Sequence, residues 1–220
     1  MTLRLFCLIS IVIGYGFGLF QTAYIYGRLC NIDIRKKGSG NLGATNMARV
    51  EGPLAGLVTL VGDMLKMFFA CMLTWFIFIN KMCLPIDQLA LTLYTALGVV
   101  LGHNFPFYLG FKGGKGVSAS AAAFIALLDW RMIVIGVICF FGVTLITKYV
   151  SLASISLITL EMILFIVFTA TGLLNLSPEW TIDSYILVVL LTALCIFQHR
   201  NNIKRLLNGT ERKFSFKKKK

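Results

Sequence analysis

The sequence predicts an all-α protein, a polytopic bundle of about seven transmembrane helices of which two are short. Of its 220 residues, 58% are hydrophobic and 14% charged, whereas about a quarter of residues are charged in soluble proteins. The mean hydropathy is +0.83. Several separate apolar runs approach or exceed the roughly 20 residues that span a hydrocarbon core. Runs of this length without alternation indicate helices rather than strands.

Seven apolar segments follow one another through the chain. They cover residues 5–26, 53–79, 89–109, 117–128, 132–147, 152–174 and 185–197. The first resembles a signal peptide, but no A-x-A pattern follows and the run continues through Tyr24 and Tyr26, so we expect an uncleaved span. Segments 117–128 and 132–147 are short for a full crossing. They cross with little tilt, enter only part-way, or are shielded by neighbouring helices; if the two form one re-entrant hairpin, five spans remain.

The placement of basic residues predicts the orientation of the bundle. The net charge is +12, and most cations fall on one side when the spans alternate. That side receives Arg28, Arg35, Lys36, Lys37, Arg49, Lys112, Lys115, Lys148 and the C-terminus from Arg200 onward, and the other side receives Arg4, Lys81 and Arg131. This asymmetry predicts a cytoplasmic C-terminus and an outer N-terminus, with seven or with five spans. Cations that flank apolar runs also argue against a nucleic-acid partner.

The chain reads as a single membrane-embedded domain, residues 1–216, followed by a basic tail, residues 217–220. We expect the tail to be solvated and to touch anionic lipid. The six cysteines form no CxxC pair and four of them lie inside apolar runs. Such cysteines behave as small hydrophobic residues, so the sequence predicts no disulfide framework and no metal site.

The first polar segment, "GSGNLGATNMAR" at residues 38–49, is rich in hydrogen-bond donors. Three glycines free its backbone, and Ser39, Asn41, Thr45 and Asn46 add polar side chains. Converging amides near a helix start bind phosphate oxygens, and Arg49 would supply a permanently charged, bidentate partner. We therefore interpret the segment as a phosphate site, the alternative being a flexible loop.

The second polar segment, "FKGGKGVS" at residues 111–118, differs from a nucleotide-binding P-loop. The motif G-x-x-x-x-G-K-[ST] needs four residues between its two glycines, and only three separate Gly110 from Gly114. Gly116, rather than Ser or Thr, follows Lys115. Gly113 and Gly114 would still allow a close backbone approach, with charge from Lys112 and Lys115. A helix beginning after Gly116 would direct its N-terminus at the same anion. The alternative is a pair of lysines that only anchors the orientation.

Five further polar residues lie at the ends of apolar segments or inside them. His199 and Asn202 are spaced i, i+3 and so share one helix face; His199 is either a general base, a positioning group or a helix-terminal residue. His103 ends a span, a position more typical of a structural role. Asp63 and Lys66 lie within a span, where charges form an internal ion pair or line a functional cavity.

Taken together, the segments closely resemble the bacterial acyl-phosphate:glycerol-3-phosphate acyltransferases of the PlsY type. The resemblance depends on "GSGNLGATNMAR", "GHNFPFYLGFKGGKG" and "HRNNIKRL", with weaker agreement at "DMLK" and "YVSLASIS". It implies a seven-helix enzyme of the bacterial inner membrane, with its active site at the cytoplasmic face. The implied substrates are acyl phosphate and glycerol 3-phosphate and the products lysophosphatidic acid and phosphate, with no cofactor. A monomer, in contact with membrane lipid and linked functionally to an acyl-phosphate-producing enzyme, is expected.

The resemblance carries site residues over by position. These are Ser39, Asn41, Thr45, Asn46, Arg49, Lys112, Lys115, Ser151, His199 and Asn202. Of these, Arg49, Lys115, His199 and Asn202 are expected to be catalytic and the others to bind substrate. Gly40, Gly113 and Gly114 join the binding set through their loops, and His103, Asp63 and Lys66 are expected to support the site. Val150 stands where the family pattern has the first serine of a pair.

The expected chemistry is direct attack by the primary hydroxyl of glycerol 3-phosphate on the acyl carbonyl. Acyl phosphate carries its own good leaving group, so no enzyme nucleophile is needed, and neither a G-x-S-x-G elbow nor an H-x4-D signature is present. Positioning and charge neutralisation would supply the acceleration. The proton could pass to the donor's phosphate or to His199. The alternatives are a transporter or channel for a phosphorylated metabolite and a lipid-binding scaffold.

Overall fold

The computed structural model describes residues 3–214, and within that range it contains helices, turns and loops but no strand. This confirms the all-α class. The ten α-helices of the described range are α1 (Leu3–Gly18), α2 (Thr22–Leu29), α3 (Ala44–Glu51), α4 (Pro53–Thr74), α5 (Gln88–Asn104), α6 (Val117–Ala126), α7 (Trp130–Thr147), α8 (Val150–Ala170), α9 (Pro178–Gln198) and α10 (Arg200–Leu207). The predicted boundary at residue 216 and the basic tail 217–220 lie outside the described residues.

Six helical segments of the described chain are long and apolar enough to cross a membrane. They are Leu3–Leu29, Pro53–Lys81, Gln88–Leu109, Trp130–Thr147, Val150–Ala170 and Pro178–Gln198. All seven predicted apolar segments are helical. α6, with 10 residues, is about 15 Å long, half of a hydrocarbon core, and so is short as expected. The orientation of the bundle stays a prediction.

The expectation that segment 132–147 is short is wrong. α7 has 18 residues because it begins at Trp130, two residues before the predicted start. The Asp129 carboxylate accepts the backbone N–H groups of Arg131 and Met132 at 2.9 and 3.2 Å, which is N-capping. Apolarity alone does not reveal this cap.

The number of helices exceeds seven for two local reasons. The first span breaks between α1 and α2, where the buried Gln21 side chain donates to the carbonyls of Gly18, Gly102 and His103 and so keeps the broken backbone hydrogen-bonded. The other extra helices, α3 and α10, form inside polar segments, and α3 occupies the second half of the segment "GSGNLGATNMAR".

α5 is the central helix, packed against α1, α4, α6 and α9. Its most extensive contact is with α1, where two glycines on each helix face the other: Gly14 and Gly18 on α1, Gly98 and Gly102 on α5. A Cβ at any of the four would collide with a backbone carbonyl of the partner helix. Small residues at a four-residue spacing permit this close approach of helices in membranes.

The chain reversals bring three polar segments to one end of the bundle. α4, α6 and α8 begin there, and α5, α7 and α9 end there. Arg212 near the C-terminus donates to the carbonyl of Gly38, and the backbone N–H of Phe214 donates to that of Lys148. The segments 37–49, 110–116 and 199–214 therefore enclose a common space.

Candidate active site

A cavity of about 1230 Å³ lies between these three polar segments and continues along α4, α6, α7 and α8. At one end its walls are cationic and hydrogen-bonding. Along the helices the walls are apolar, with side chains such as Leu60, Phe124, Val137, Phe140 and Leu157. The cavity can therefore hold a molecule that combines an anionic head with a hydrocarbon chain.

The first wall is the loop before α3, and Asn46 organises it. The Asn46 side chain is buried; its Oδ1 accepts the N–H of Ser39 at 2.8 Å, and its Nδ2 donates to the carbonyls of Lys37 and Asn41. Gly38 and Gly40 have φ values of +62° and +74°, a conformation that favours glycine. Asn46 is thus occupied in shaping the loop, while Ser39, Asn41 and Thr45 line the cavity.

Arg49 is the principal cation of this wall. α3 carries it at its last turn, and its side chain lines the cavity near Arg205, Glu211 and Arg212. Desolvation lowers the pKa of Arg49, and the charges of Arg212 and Arg205 lower it further, whereas Glu211 opposes them. A guanidinium remains charged under these conditions. With Lys115, these cations outnumber Glu211, so this end of the cavity favours an anion.

The second wall is centred on Lys115, which a polar network holds in place. Its Nζ donates to Asn202 Oδ1 at 2.5 Å, and Asn202 Nδ2 donates to Glu211 Oε1 at 2.7 Å. The same Glu211 Oε1 accepts the Ser151 hydroxyl at 2.9 Å, and Oε2 accepts Arg205 Nε at 2.7 Å. Glu211 therefore joins α8, α10 and, through Asn202, the lysine.

Lys115 and Glu211, the two ends of this network, both remain ionised near pH 7. Burial lowers the pKa of Lys115 from 10.5 to about 8, against the opposing attraction of Glu211. Lys115 therefore remains mainly protonated near pH 7. Burial would raise the pKa of Glu211, but hydrogen bonds from Asn202, Arg205 and Ser151 outweigh it, so the pKa lies below the usual value and the carboxylate is ionised.

His199, at the junction of α9 and α10, is buried and lines the cavity. Its Nδ1 lies 2.8 Å from the carbonyl oxygen of Cys195. A carbonyl oxygen only accepts, so Nδ1 carries the hydrogen and Nε2 keeps its lone pair. Burial, and then the charge of Lys115, lowers the pKa of His199 to about 4. The imidazole is consequently neutral near pH 7 and can accept a hydrogen bond, although it is a weak base.

The supporting residues form a buried cluster that braces the second loop. Lys66 Nζ donates to Asp63 Oδ1 at 2.9 Å, to the carbonyl of Phe20 at 2.8 Å and, at 2.7 Å, to His103 Nδ1. The three N–H donors of the ammonium are thereby used. Asp63 and Lys66 form the expected ion pair. The other expectation, a cavity wall, holds for Asp63, which lines the cavity together with His103.

Gly113 and Gly114 serve packing in a way the sequence did not reveal. Their N–H groups donate to the carbonyls of Asn104 and His103 at 3.1 and 3.0 Å. A Cβ on Gly113 would collide with the His103 carbonyl, and one on Gly114 would collide with the His103 ring. The two glycines allow the loop to approach the end of α5 closely, and their N–H groups are already hydrogen-bonded to carbonyls there. Lys112 and Lys115 supply the positive charge of this loop.

Fourteen of the sixteen candidate residues line the one cavity. The exceptions are Gly114 and Lys66, which lie directly behind it. Sequence reasoning missed Glu211, Arg205, Arg212 and the cavity-lining Glu161. Glu211 had a weak signal as the one acidic residue in a strongly basic C-terminal segment, and Glu161 had one as a charged residue inside an apolar segment.

Comparison with known proteins identifies the family. A family model described as glycerol-3-phosphate acyltransferase matches residues 8–209. This chain belongs to the glycerol-3-phosphate acyltransferase family. It is 41% identical over 216 residues to the glycerol-3-phosphate acyltransferase of Clostridioides difficile, covering 96% of this chain and 97% of that protein. The corresponding protein of Thermotoga petrophila is 37% identical over 203 residues, covering 92% and 93%.

Solved structures of the family share this fold. The crystal structure of PlsY (YgiH), an integral membrane glycerol 3-phosphate acyltransferase, in its glycerol 3-phosphate form superposes with a TM-score of 0.77. Sequence identity is 31%, and the match covers 95% of this chain and 96% of that chain. The lysophosphatidic acid form gives a TM-score of 0.76 at 30% identity, with 96% of each chain covered. The chain is thus a helical membrane acyltransferase of the PlsY type.

Proposed function

We propose that the protein transfers a fatty acyl group from acyl phosphate to the primary hydroxyl of glycerol 3-phosphate. The products are lysophosphatidic acid and inorganic phosphate, the first step of phospholipid synthesis. Family membership supports the acceptor, since the PlsY relatives are glycerol-3-phosphate acyltransferases. The acyl phosphate donor is the finer part of the proposal and depends on the chemistry of the site.

One observation carries the proposal: a cavity with Arg49 and Lys115 at one end and apolar helix faces along the rest. Both substrates carry a phosphate and the donor also carries a hydrocarbon tail, so the cavity matches the pair of them. Arg49 on α3, together with Lys112 and Lys115 on the second polar segment, supplies charge-assisted hydrogen bonds to phosphate. When both substrates are bound in this way, their translational and rotational entropy is lost on binding rather than in the reaction step.

In the proposed reaction, the acceptor's hydroxyl oxygen forms a bond to the acyl carbon and the bond between that carbon and the phosphate oxygen breaks. The hydroxyl proton leaves with the phosphate. His199, neutral and with Nε2 as acceptor, orients the hydroxyl; its pKa of about 4 makes it a poor proton acceptor near pH 7. Cations at the developing phosphate charge stabilise the transition state.

Two further parts of the proposal concern the setting. The proposed active unit is a monomer. The one-sided placement of cations supports a bacterial inner-membrane location with the site at the cytoplasmic face. Acyl phosphate is an activated mixed anhydride, so an acyl-phosphate-producing enzyme must supply it. A transporter is less well supported, because its binding groups belong near the midplane rather than at one end of the bundle.

Donor specificity tests the proposal. Purified protein is mixed with labelled glycerol 3-phosphate and either dodecanoyl phosphate or dodecanoyl-CoA, and lysophosphatidic acid is measured. We expect product from the acyl phosphate and none above background from acyl-CoA. Arg49→Ala serves as the matched control for catalysis by the site itself. Equal turnover with acyl-CoA would overturn the donor assignment.

A further inference from the structure

Glu161 is a buried acidic side chain that the proposed reaction does not use. It lies halfway along α8, is 3% exposed, and lines the same cavity as the phosphate-binding loops. Its Oε2 has no hydrogen-bond partner among the described residues. A carboxyl group in such surroundings is costly, and acidic residues inside membrane helices usually face a functional cavity.

The opposite helix makes room for this carboxyl group. Gly136 on α7 faces it, and a Cβ at that position would collide with Glu161 Oε1 and approach Leu157 Cδ1. Any larger residue at position 136 would push the carboxyl group away from α7. The glycine and the glutamate therefore form a matched pair where α7 contacts α8.

The depth of the pair follows from helix geometry. Ser151, at the polar end, precedes Glu161 by ten residues on the same helix, which is about 15 Å at a rise of ~1.5 Å per residue. An extended hydrocarbon chain advances ~1.25 Å per carbon, from a C–C bond of about 1.52 Å and a near-tetrahedral angle. A chain of about twelve carbons thus spans the distance. Phe140 and Leu157 line the intervening wall.

We propose that Glu161 forms the deep end of the acyl groove and sets the upper limit on the acyl-chain length of the donor. The inference rests on the proposed function. A chain that extends past Glu161 must displace its side chain or lay methylene groups on a carboxyl group that gains no hydrogen bond. Each methylene group of the substrate that is not buried among apolar side chains lowers kcat/KM by about fourfold.

The test is the ratio of kcat/KM for hexadecanoyl phosphate to that for dodecanoyl phosphate. Glu161→Ala removes four heavy atoms of the side chain, and we expect the ratio to rise about tenfold, the value of nearly two methylene groups. Glu161→Gln keeps the length and should leave the ratio within about twofold. Ile163→Ala is the matched control, since Ile163 lies on the exposed face of α8.

Gly136→Ala is an independent variant, useful if Glu161→Ala does not fold. The added methyl group would push the carboxyl group into the groove and lower the ratio at least threefold. An unchanged ratio in Glu161→Ala or in Gly136→Ala would overturn the inference, as would a tenfold shift in Glu161→Gln. If the wild-type protein makes no product from any acyl phosphate, the donor assignment fails instead, and the inference with it.

Discussion

Replacing Lys115 tests how the protein holds phosphate. Its ammonium lies partly buried at the cavity wall and is hydrogen-bonded to Asn202. Lys115→Ala removes one charge-assisted hydrogen bond to substrate, about 1.5–3 kcal/mol, which corresponds to a loss of about 10- to 150-fold in kcat/KM. The loss of the Asn202 partner adds to it, so we expect a decrease of about a hundredfold while the protein stays folded.

The pH dependence gives the same prediction a second readout. Burial lowers the pKa of Lys115 to about 8, so the charged form is present below pH 8 and is lost as the pH rises through that value. Wild-type kcat/KM should fall about tenfold per pH unit above this point. In Lys115→Arg the guanidinium stays charged, and the alkaline decrease should disappear even if the rate is lower. Substrate phosphate does not interfere, because its second pKa is about 6.

The assay is the initial rate of lysophosphatidic acid formation between pH 6 and pH 10, corrected at each pH for spontaneous hydrolysis of the donor. Folding is checked by gel filtration in detergent. A Lys115→Ala variant within threefold of wild type would refute the reasoning, since the lysine would then be only an orientation anchor. The same holds if Lys115→Arg keeps the alkaline decrease.

Three further predictions concern the network, the imidazole and the packing. Glu211→Ala should lower kcat/KM by about a hundredfold, because it releases Ser151, Asn202 and Arg205 from their common acceptor; Glu211→Gln should recover part of the loss. His199→Ala should reduce the rate without moving the acidic limb of the pH profile, because the pKa of His199 lies near 4; a shifted limb would make it the base. Gly98→Ala should lower the thermal stability in detergent, as its Cβ would collide with α1, whereas Gly16→Ala, facing open space, should not.

Much of the fold could be predicted because a membrane imposes long apolar helices. All seven apolar segments proved helical, and the three polar segments proved to share one cavity. What apolarity does not encode is where a helix begins. Asp129 starts α7 early through its side-chain cap, and Gln21 repairs the break between α1 and α2. Both are decided by individual hydrogen bonds.

It was easier to predict which residues belong to the site than to predict what each of them does there. Asn46 and Gly113 were selected by motif, but the structure shows their polar groups committed to backbone partners. Glu211 was missed because its importance depends on three partners that are brought together only by the fold. Glu161 is visible in the sequence as a charge inside an apolar segment, but its position opposite Gly136 is a property of how α7 packs on α8.

The central claim is that the acyl group moves directly from one bound phosphorylated molecule to another. Exchange of labelled inorganic phosphate into acyl phosphate, measured without glycerol 3-phosphate, tests this most directly. Direct transfer predicts no exchange and no stoichiometric burst of phosphate release until the acceptor is added. Exchange at a rate comparable to turnover would reveal an acyl-enzyme and contradict the account.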